Sequence, residues 1–249
     1  MVQTRAGTAK PFALNYLLAF APATLPIALD AGARRALDLG ADYLICQGIE
    51  AGGHVQATQK LEEVLPSVIE EAKKIPVLAA GSIASGAHIR RALRLGAAGV
   101  LVGTRFVATK ECNAHDEYKG ALARAKAADT VLTVCFQDGW TNAPHRVLRN
   151  CTFAMWEAAG CPPPGKRPGE GDVLTTNAVT GAKKVRYSAS NPGRDDRGDV
   201  LELPLYAGQG VTLFATSPRR ASWSHAYGRS ASAPHEGARI GQPLAGRCL

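Results

Sequence analysis

Three short runs of this chain hold residue types able to do chemistry together. The first is Gln47-Gly-Ile-Glu-Ala-Gly-Gly-His54, directly after an apolar stretch. Paired glycines at 52 and 53 let a backbone approach a flat ligand closely. The imidazole of His54 titrates near neutrality and so can move a proton; a solvated loop histidine is the blander reading. The second run, Ala79-Ala-Gly-Ser-Ile-Ala-Ser-Gly86, also follows an apolar stretch and opens a helix. The N–H groups of Gly81 and Ser82, with a helix start behind them, suit an anion. The third, Val102-Gly-Thr-Arg-Phe106, offers Gly103 and Thr104 where α/β barrels commonly build a phosphate cradle. Taken singly, the second and third loops read more simply as turns. On consecutive strands they form a pattern.

The elements that must carry these loops are readable from an internal echo. Arg34-Arg-Ala-Leu-Asp-Leu-Gly-Ala-Asp-Tyr-Leu-Ile-Cys-Gln-Gly48 recurs as Arg90-Arg-Ala-Leu-Arg-Leu-Gly-Ala-Ala-Gly-Val-Leu-Val-Gly-Thr104. Each copy reads as a helix end, a turn and a short buried strand, with Gly40 and Gly96 suited to a left-handed helix stop. Strands are expected at Tyr43–Cys46, Val77–Ala80 and Val100–Val102, and helices at Lys60–Lys74 and Gly86–Leu95. Continuous apolar strands alternating with helices indicate a parallel α/β sheet or barrel, whose functional loops leave the C-terminal ends of the strands. Beyond Phe106 the expected elements are a helix over 113–128, a strand over Val131–Phe136 and a helix over Asn142–Ala159 that Asn142 caps. A Pro/Gly-rich loop follows at 162–171, then polar, irregular chain over Val173–Leu205. Tyr206 and Gln209 could cover a ligand but read more simply as a surface loop, and His88 as a solvated helix residue.

Composition narrows the classes. Hydrophobic residues make up 46% and charged residues 20%, which excludes a disordered or collagen-like chain. Of the net charge of +8, residues 212–249 hold +4, with five arginines, one acid and no lysine. The rest is only mildly basic, so neither a nucleic-acid partner nor a membrane is expected, and 212–249 reads as a disordered basic tail. None of the six cysteines forms a C-x-x-C pair, no metal-ligand spacing is present, and free thiols in the reducing cytoplasm are expected. Arg5 and Lys10 precede the apolar stretch Phe12–Leu29, and Ala19-Phe-Ala21 has the form of a cleavage triplet. Pro22 and Pro26 interrupt that stretch, so a buried strand followed by a helix is expected there rather than a signal peptide.

On Gln47–His54, Ala79–Ser82 and Leu101–Phe106, together with Tyr206-Ala-Gly-Gln209, the sequence resembles the nitronate monooxygenases, formerly 2-nitropropane dioxygenases, over roughly residues 30–211. That resemblance implies an FMN-dependent (β/α)8, or TIM, barrel enzyme that oxidises alkyl nitronates, and in some members nitroalkanes, with O2. It implies His54 as the catalytic base or the contact to the nitro group. Gln47 and Gly52 would contact the flavin, and Gly81, Ser82, Leu101, Val102, Gly103 and Thr104 would hold the rest of it and its phosphate. A neutral imidazole within reach of the carbon beside a nitro group would serve as base at pH 7.

The sequence also departs from the family. Ser82 stands where many relatives have a second glycine, and its hydroxyl would add a donor. The family's first strands have no counterpart. Only four strands are countable (Phe12–Leu17 and the three above), so the expected fold is an incomplete barrel over 1–211, truncated in its N-terminal half. The tail fits nothing in the family, and both ends read as a truncated or misassembled gene. Two other readings follow: an inactive half-barrel acting as a binding or assembly partner, whose barrel a homodimer would close, and a related FMN-dependent quinone or enoyl reductase.

Overall fold

The computed structural model describes residue 33 and residues 36–38, 40–137 and 143–213. The expected strand Phe12–Leu17, the stretch to Leu29 and Asn142 lie outside these residues. Strands β1 (Leu44–Gln47), β3 (Val77–Ala80) and β4 (Gly99–Leu101) form a parallel sheet in the order β1-β3-β4. Gln47 pairs with Ala80 and Ala80 with Leu101, so all three strands end level. Helices α1 (Leu61–Ala72) and α2 (Gly86–Arg94) complete the βα units. Leu44, Cys46, Val77 and Ala79 of the sheet pack with Leu61, Val64, Leu65 and Ala92 in one buried core. This is the α/β, incomplete TIM-barrel fold expected from the sequence.

The echo has a geometric meaning. Gly40 and Gly96 take positive φ values of 75° and 98°. Gly40 N–H donates to Leu37 O (2.8 Å) and Ala41 N–H to Ala36 O (3.0 Å); Gly96 N–H donates to Leu93 O (3.0 Å) and Ala97 N–H to Ala92 O (3.1 Å). These are the paired bonds of a Schellman turn, made twice. In both copies the alanine after the glycine is buried, which fixes the phase at which the next strand starts.

A second, antiparallel sheet has the order β2-β6-β5 and comprises β2 (Gly53–His54), β5 (Thr130–Thr133) and β6 (His145–Leu148). It corrects the expected helix over 142–159. The first half of that span is a strand buried at every position, and only Cys151–Ala158 is helical (α5). The cap is Asn150, whose Oδ1 accepts from Phe153 N–H at 3.0 Å. A four-residue segment buried at every position, with His145 and Arg146 beside Val147 and Leu148, carries no alternation to separate strand from helix. The helix expected over 113–128 is shorter, α4 (Asp116–Arg124), followed by a 3-10 turn at Ala127–Asp129; the four residues Thr104–Val107 form α3.

Residues 173–205 are also corrected. They contain a three-stranded antiparallel sheet, ordered β8-β7-β9, from β7 (Val173–Asn177), β8 (Lys183–Val185) and β9 (Asp196–Gly198). Charge holds it where apolar alternation does not. The buried Asp196 carboxylate accepts from Lys184 Nζ (2.6 Å), Gly193 N–H (2.8 Å) and Asn177 Nδ2 (3.1 Å). Those bonds hold its carboxyl below the usual range although burial opposes them. The folded body also reaches further than expected, since Thr212 in the turn Gln209–Leu213 accepts from Ala127 N–H at 2.8 Å. Among the described residues, Cys46, Cys112, Cys135, Cys151 and Cys161 are free thiols, and no helix is long and apolar enough to cross a membrane.

The segment Tyr206–Gly210 crosses the ends of the parallel strands. Its N–H groups donate to Arg146 O from Ala207 (3.2 Å) and to Glu50 O from Gln209 (3.0 Å). Gly208 N–H donates to Thr104 Oγ1 and Gly210 N–H to Ser82 Oγ, each at 3.1 Å. The segment lies so close that a Cβ on Gly52 would stand 2.4 Å from Gly208 N and 2.6 Å from Ala207 C.

Two substitutions test this packing by chemical denaturation. Gly52→Ala forces backbone away from backbone and is expected to cost at least about 1–3 kcal/mol. Asn150→Ala loses the α5 cap and the bonds from Nδ2 to Leu201 O (3.0 Å) and Leu203 O (2.9 Å), with an expected loss of about 2 kcal/mol, of which Asn150→Asp recovers part.

Candidate functional site

The level ends of β1, β3 and β4 bring the three loops to one cleft of about 110 Å³. Gln47, Gly52, Gly81, Ser82, Leu101, Gly103 and Thr104 all line it. Val102, expected with them, instead packs its side chain against the core beneath. His54 stands at the far end of the first loop and is not among the lining residues. Gly208 and Gly210 supply another wall.

Each loop has an identifiable brace. Gln47 Nε2 donates to His54 O (3.1 Å), spanning its own loop. The Glu50 carboxylate accepts from Leu61 N–H (3.1 Å) at the start of α1, where the helix dipole favours an anion. Burial and this carboxylate push the Cys46 thiol up to about 12, so Cys46 behaves as a small apolar core residue. Ser82 takes a φ of 49°, a left-handed conformation that glycine adopts without strain. Its hydroxyl holds it there, donating to Glu50 O (2.7 Å) and accepting from Gly210 N–H. The Ser82 and Thr104 hydroxyls are thus engaged with the chain itself. Among the described residues, the N–H groups of Gly81, Ser82, Gly103 and Thr104 donate to no protein acceptor. His88 is half-buried rather than solvated, its Nδ1 lying 2.9 Å from Ser82 O and 3.3 Å from Ala84 N.

These N–H groups form a concave set of donors of the kind that takes a phosphate. Arg105, whose side chain is only 3% exposed, also lines the cleft and adds positive charge. A cleft of this volume is well below the roughly 300–1,000 Å³ of a whole-ligand pocket. Its volume suits a small anionic group, and Gly103 and Leu101 beside it are exposed. A Cβ on Gly103 would meet no atom within 4 Å, so bulk there enters open space.

On the other side of the segment, His54 lies half-buried among rings. Its centroid is 5.6 Å from His145 and 6.0 Å from Tyr206. Burial lowers its pKa below the ordinary 6.5, which keeps the imidazole neutral at pH 7. Tyr206 is not a free surface residue, since its hydroxyl donates to Ala189 O (2.8 Å) and its carbonyl accepts from the Tyr118 hydroxyl (2.6 Å). Sequence reading missed Glu50, Arg105, His145 and the closing role of Tyr206–Gly210. Arg105 sits inside a loop already singled out, and Gly208 and Gly210 alternate beside an aromatic residue, but burial across 100 residues of chain has no local signal.

A family model described as nitronate monooxygenase matches residues 2–218. The nitronate monooxygenase of Pseudomonas aeruginosa is 38% identical over 186 residues, covering 72% of this chain and 48% of its own. The chain therefore spans about half the length of the curated relatives it matches. The structure of FabK from Thermotoga maritima superimposes with a TM-score of 0.61 at 26% identity, over 82% of this chain and 58% of its own. That of nitroalkane oxidase from Streptomyces ansochromogenes gives 0.60 at 29% identity, over 82% and 55%. With the family match spanning the loops that build the cleft, this chain belongs to the nitronate monooxygenase family.

Proposed function

We propose that this chain is a flavin-dependent oxidoreductase that binds FMN at the cleft and oxidises alkyl nitronates with O2, His54 acting as the base that converts a neutral nitroalkane to its nitronate. One observation supports the reading: donor groups suited to a phosphate, on the loops after β3 and β4, pack against the braced loop whose far end carries a neutral imidazole. The N–H groups of Gly81, Ser82, Gly103 and Thr104 would hold the phosphate, with the Arg105 charge behind them. Gln47 and Gly52 would face the ring system, and Leu101 would lie along it. The flavin, when bound, supplies the electron acceptor.

His54 does the proton work. A neutral nitroalkane carries an acidic hydrogen beside its nitro group, and a neutral imidazole within hydrogen-bond reach can take it. A preformed nitronate has already lost that proton and needs no base. Tyr206 and His145 restrict the His54 ring and exclude water from two of its sides.

Titration of the apoprotein with FMN, followed by visible absorption, is the first test; stoichiometric binding is expected, and a chain that stays colourless is an inert half-barrel instead. Gly103→Val is expected to weaken FMN binding at least tenfold with the melting temperature unchanged. His54→Asn should retain FMN and nitronate turnover yet lose roughly 100-fold or more on neutral nitroalkanes, the usual worth of a general base. Because burial depresses the His54 pKa, kcat/KM for a nitroalkane should rise with pH through a midpoint below 6.5 and level off above it. Turnover of preformed nitronate should lack that limb, and equal profiles for the two substrates would remove His54 from the mechanism.

A further inference from the structure

We propose that His145 is a positioning residue for His54, a neutral and immobile imidazole that sets the orientation of the base while keeping positive charge away from it. The proposal rests on His54 being the base. β2 and β6 pair antiparallel with His54 directly opposite His145. The two rings meet edge to face, at an interplanar angle of 63°. Cross-strand neighbours at such a position are the closest side-chain pairs a sheet provides.

His145 is fully buried, and both its ring nitrogens are committed. Nδ1 lies 2.9 Å from Ala143 O, and Nε2 lies 3.2 Å from Phe136 N. A carbonyl only accepts and an amide N–H only donates, so the proton sits on Nδ1 and the lone pair on Nε2. A second ring proton would point at the Phe136 N–H. The hydrogen bonds therefore fix the tautomer, the ring plane and the charge together. Burial, reinforced by His54, lowers its pKa to about 4 against the weaker opposing pull of Ala143 O.

Among the described residues, the titratable groups that face His145 are His54 from β2 and Tyr206 from the closing segment, 6.0 Å away. Burial pushes the Tyr206 hydroxyl up to about 12, so it stays neutral. Arg146, the next residue of β6, directs its guanidinium to Ile49 O (2.9 Å) and Thr130 Oγ1 (3.4 Å) instead, as alternation along a strand requires. A cation at the His145 position would disfavour protonation of His54 and weaken it as a base.

The test compares the full chain with His145→Ala and His145→Phe. The alanine variant removes the wall; the phenylalanine variant restores a neutral ring but none of the hydrogen bonds. Expected for His145→Ala are unchanged FMN binding, a tenfold or greater fall in kcat on a nitroalkane, little change on preformed nitronate, and a His54 midpoint moving up toward 6.5 in imidazole NMR. His145→Phe should recover most of the nitroalkane rate. Equal losses on both substrates, or a phenylalanine variant no better than alanine, would show a purely structural residue and overturn the proposal. On the unaltered chain, nitrogen-15 NMR should find His145 as the Nδ1–H tautomer from pH 8 to pH 5, and protonation above pH 6 overturns it without any variant. A parent chain that binds no FMN, or a His54→Asn variant as active as the parent, defeats the reading of the base itself, and the NMR result on His145 still stands apart from it.

Discussion

Gly52 lying against Ala207 and Gly208 is the contact on which the candidate site depends. Two stretches of main chain approach so closely that no side chain fits between them. The approach is held by bonds that each use a different part of the cleft: the Ser82 hydroxyl, the Thr104 hydroxyl, and the carbonyls of Glu50 and Arg146. The residues that frame the donors proposed for an anion are thus the same residues that anchor the closing segment. Glycine at position 52 serves chain packing as well as proximity to a ligand. The Ser82 hydroxyl serves as a tether, and it secures a backbone conformation that serine does not favour by itself.

The parallel half of the fold was legible because its signals are local. An apolar run, a glycine that stops a helix and a repeated spacing lie within a dozen residues of one another, and they located β1, β3, β4 and both Schellman glycines. The three loops follow from the strands, so most of the cleft residues were legible too; Val102 was misjudged because loop membership does not say which way a side chain turns. The remainder depends on partners distant in sequence. β6 looks helical until β2 and β5 are known to cover it. β7, β8 and β9 cohere through Asp196, Lys184 and Asn177, polar residues that read as irregular chain when their pairing is unknown. His145 reads as an ordinary histidine until Ala143 and Phe136 take both its nitrogens.

The two histidines show how one residue type takes opposite roles a few ångströms apart. His145 has each ring nitrogen matched to a partner that permits one protonation state. His54, across the strand pair, is half-buried, and burial lowers its pKa. The proposed function would use this contrast between one ring held by its partners and another left to titrate.

The closing segment has a kinetic consequence. The bonds its N–H groups donate join residues 61 to 159 positions apart, from Ala207 with Arg146 to Gln209 with Glu50. Contacts of that sequence separation form late, because a long loop must be closed before any of them is gained. The βα units, whose contacts are local, can form while the chain is still emerging from the ribosome. The cleft is completed only when the turn at Gln209–Leu213 arrives, so this protein acquires its scaffold before its site.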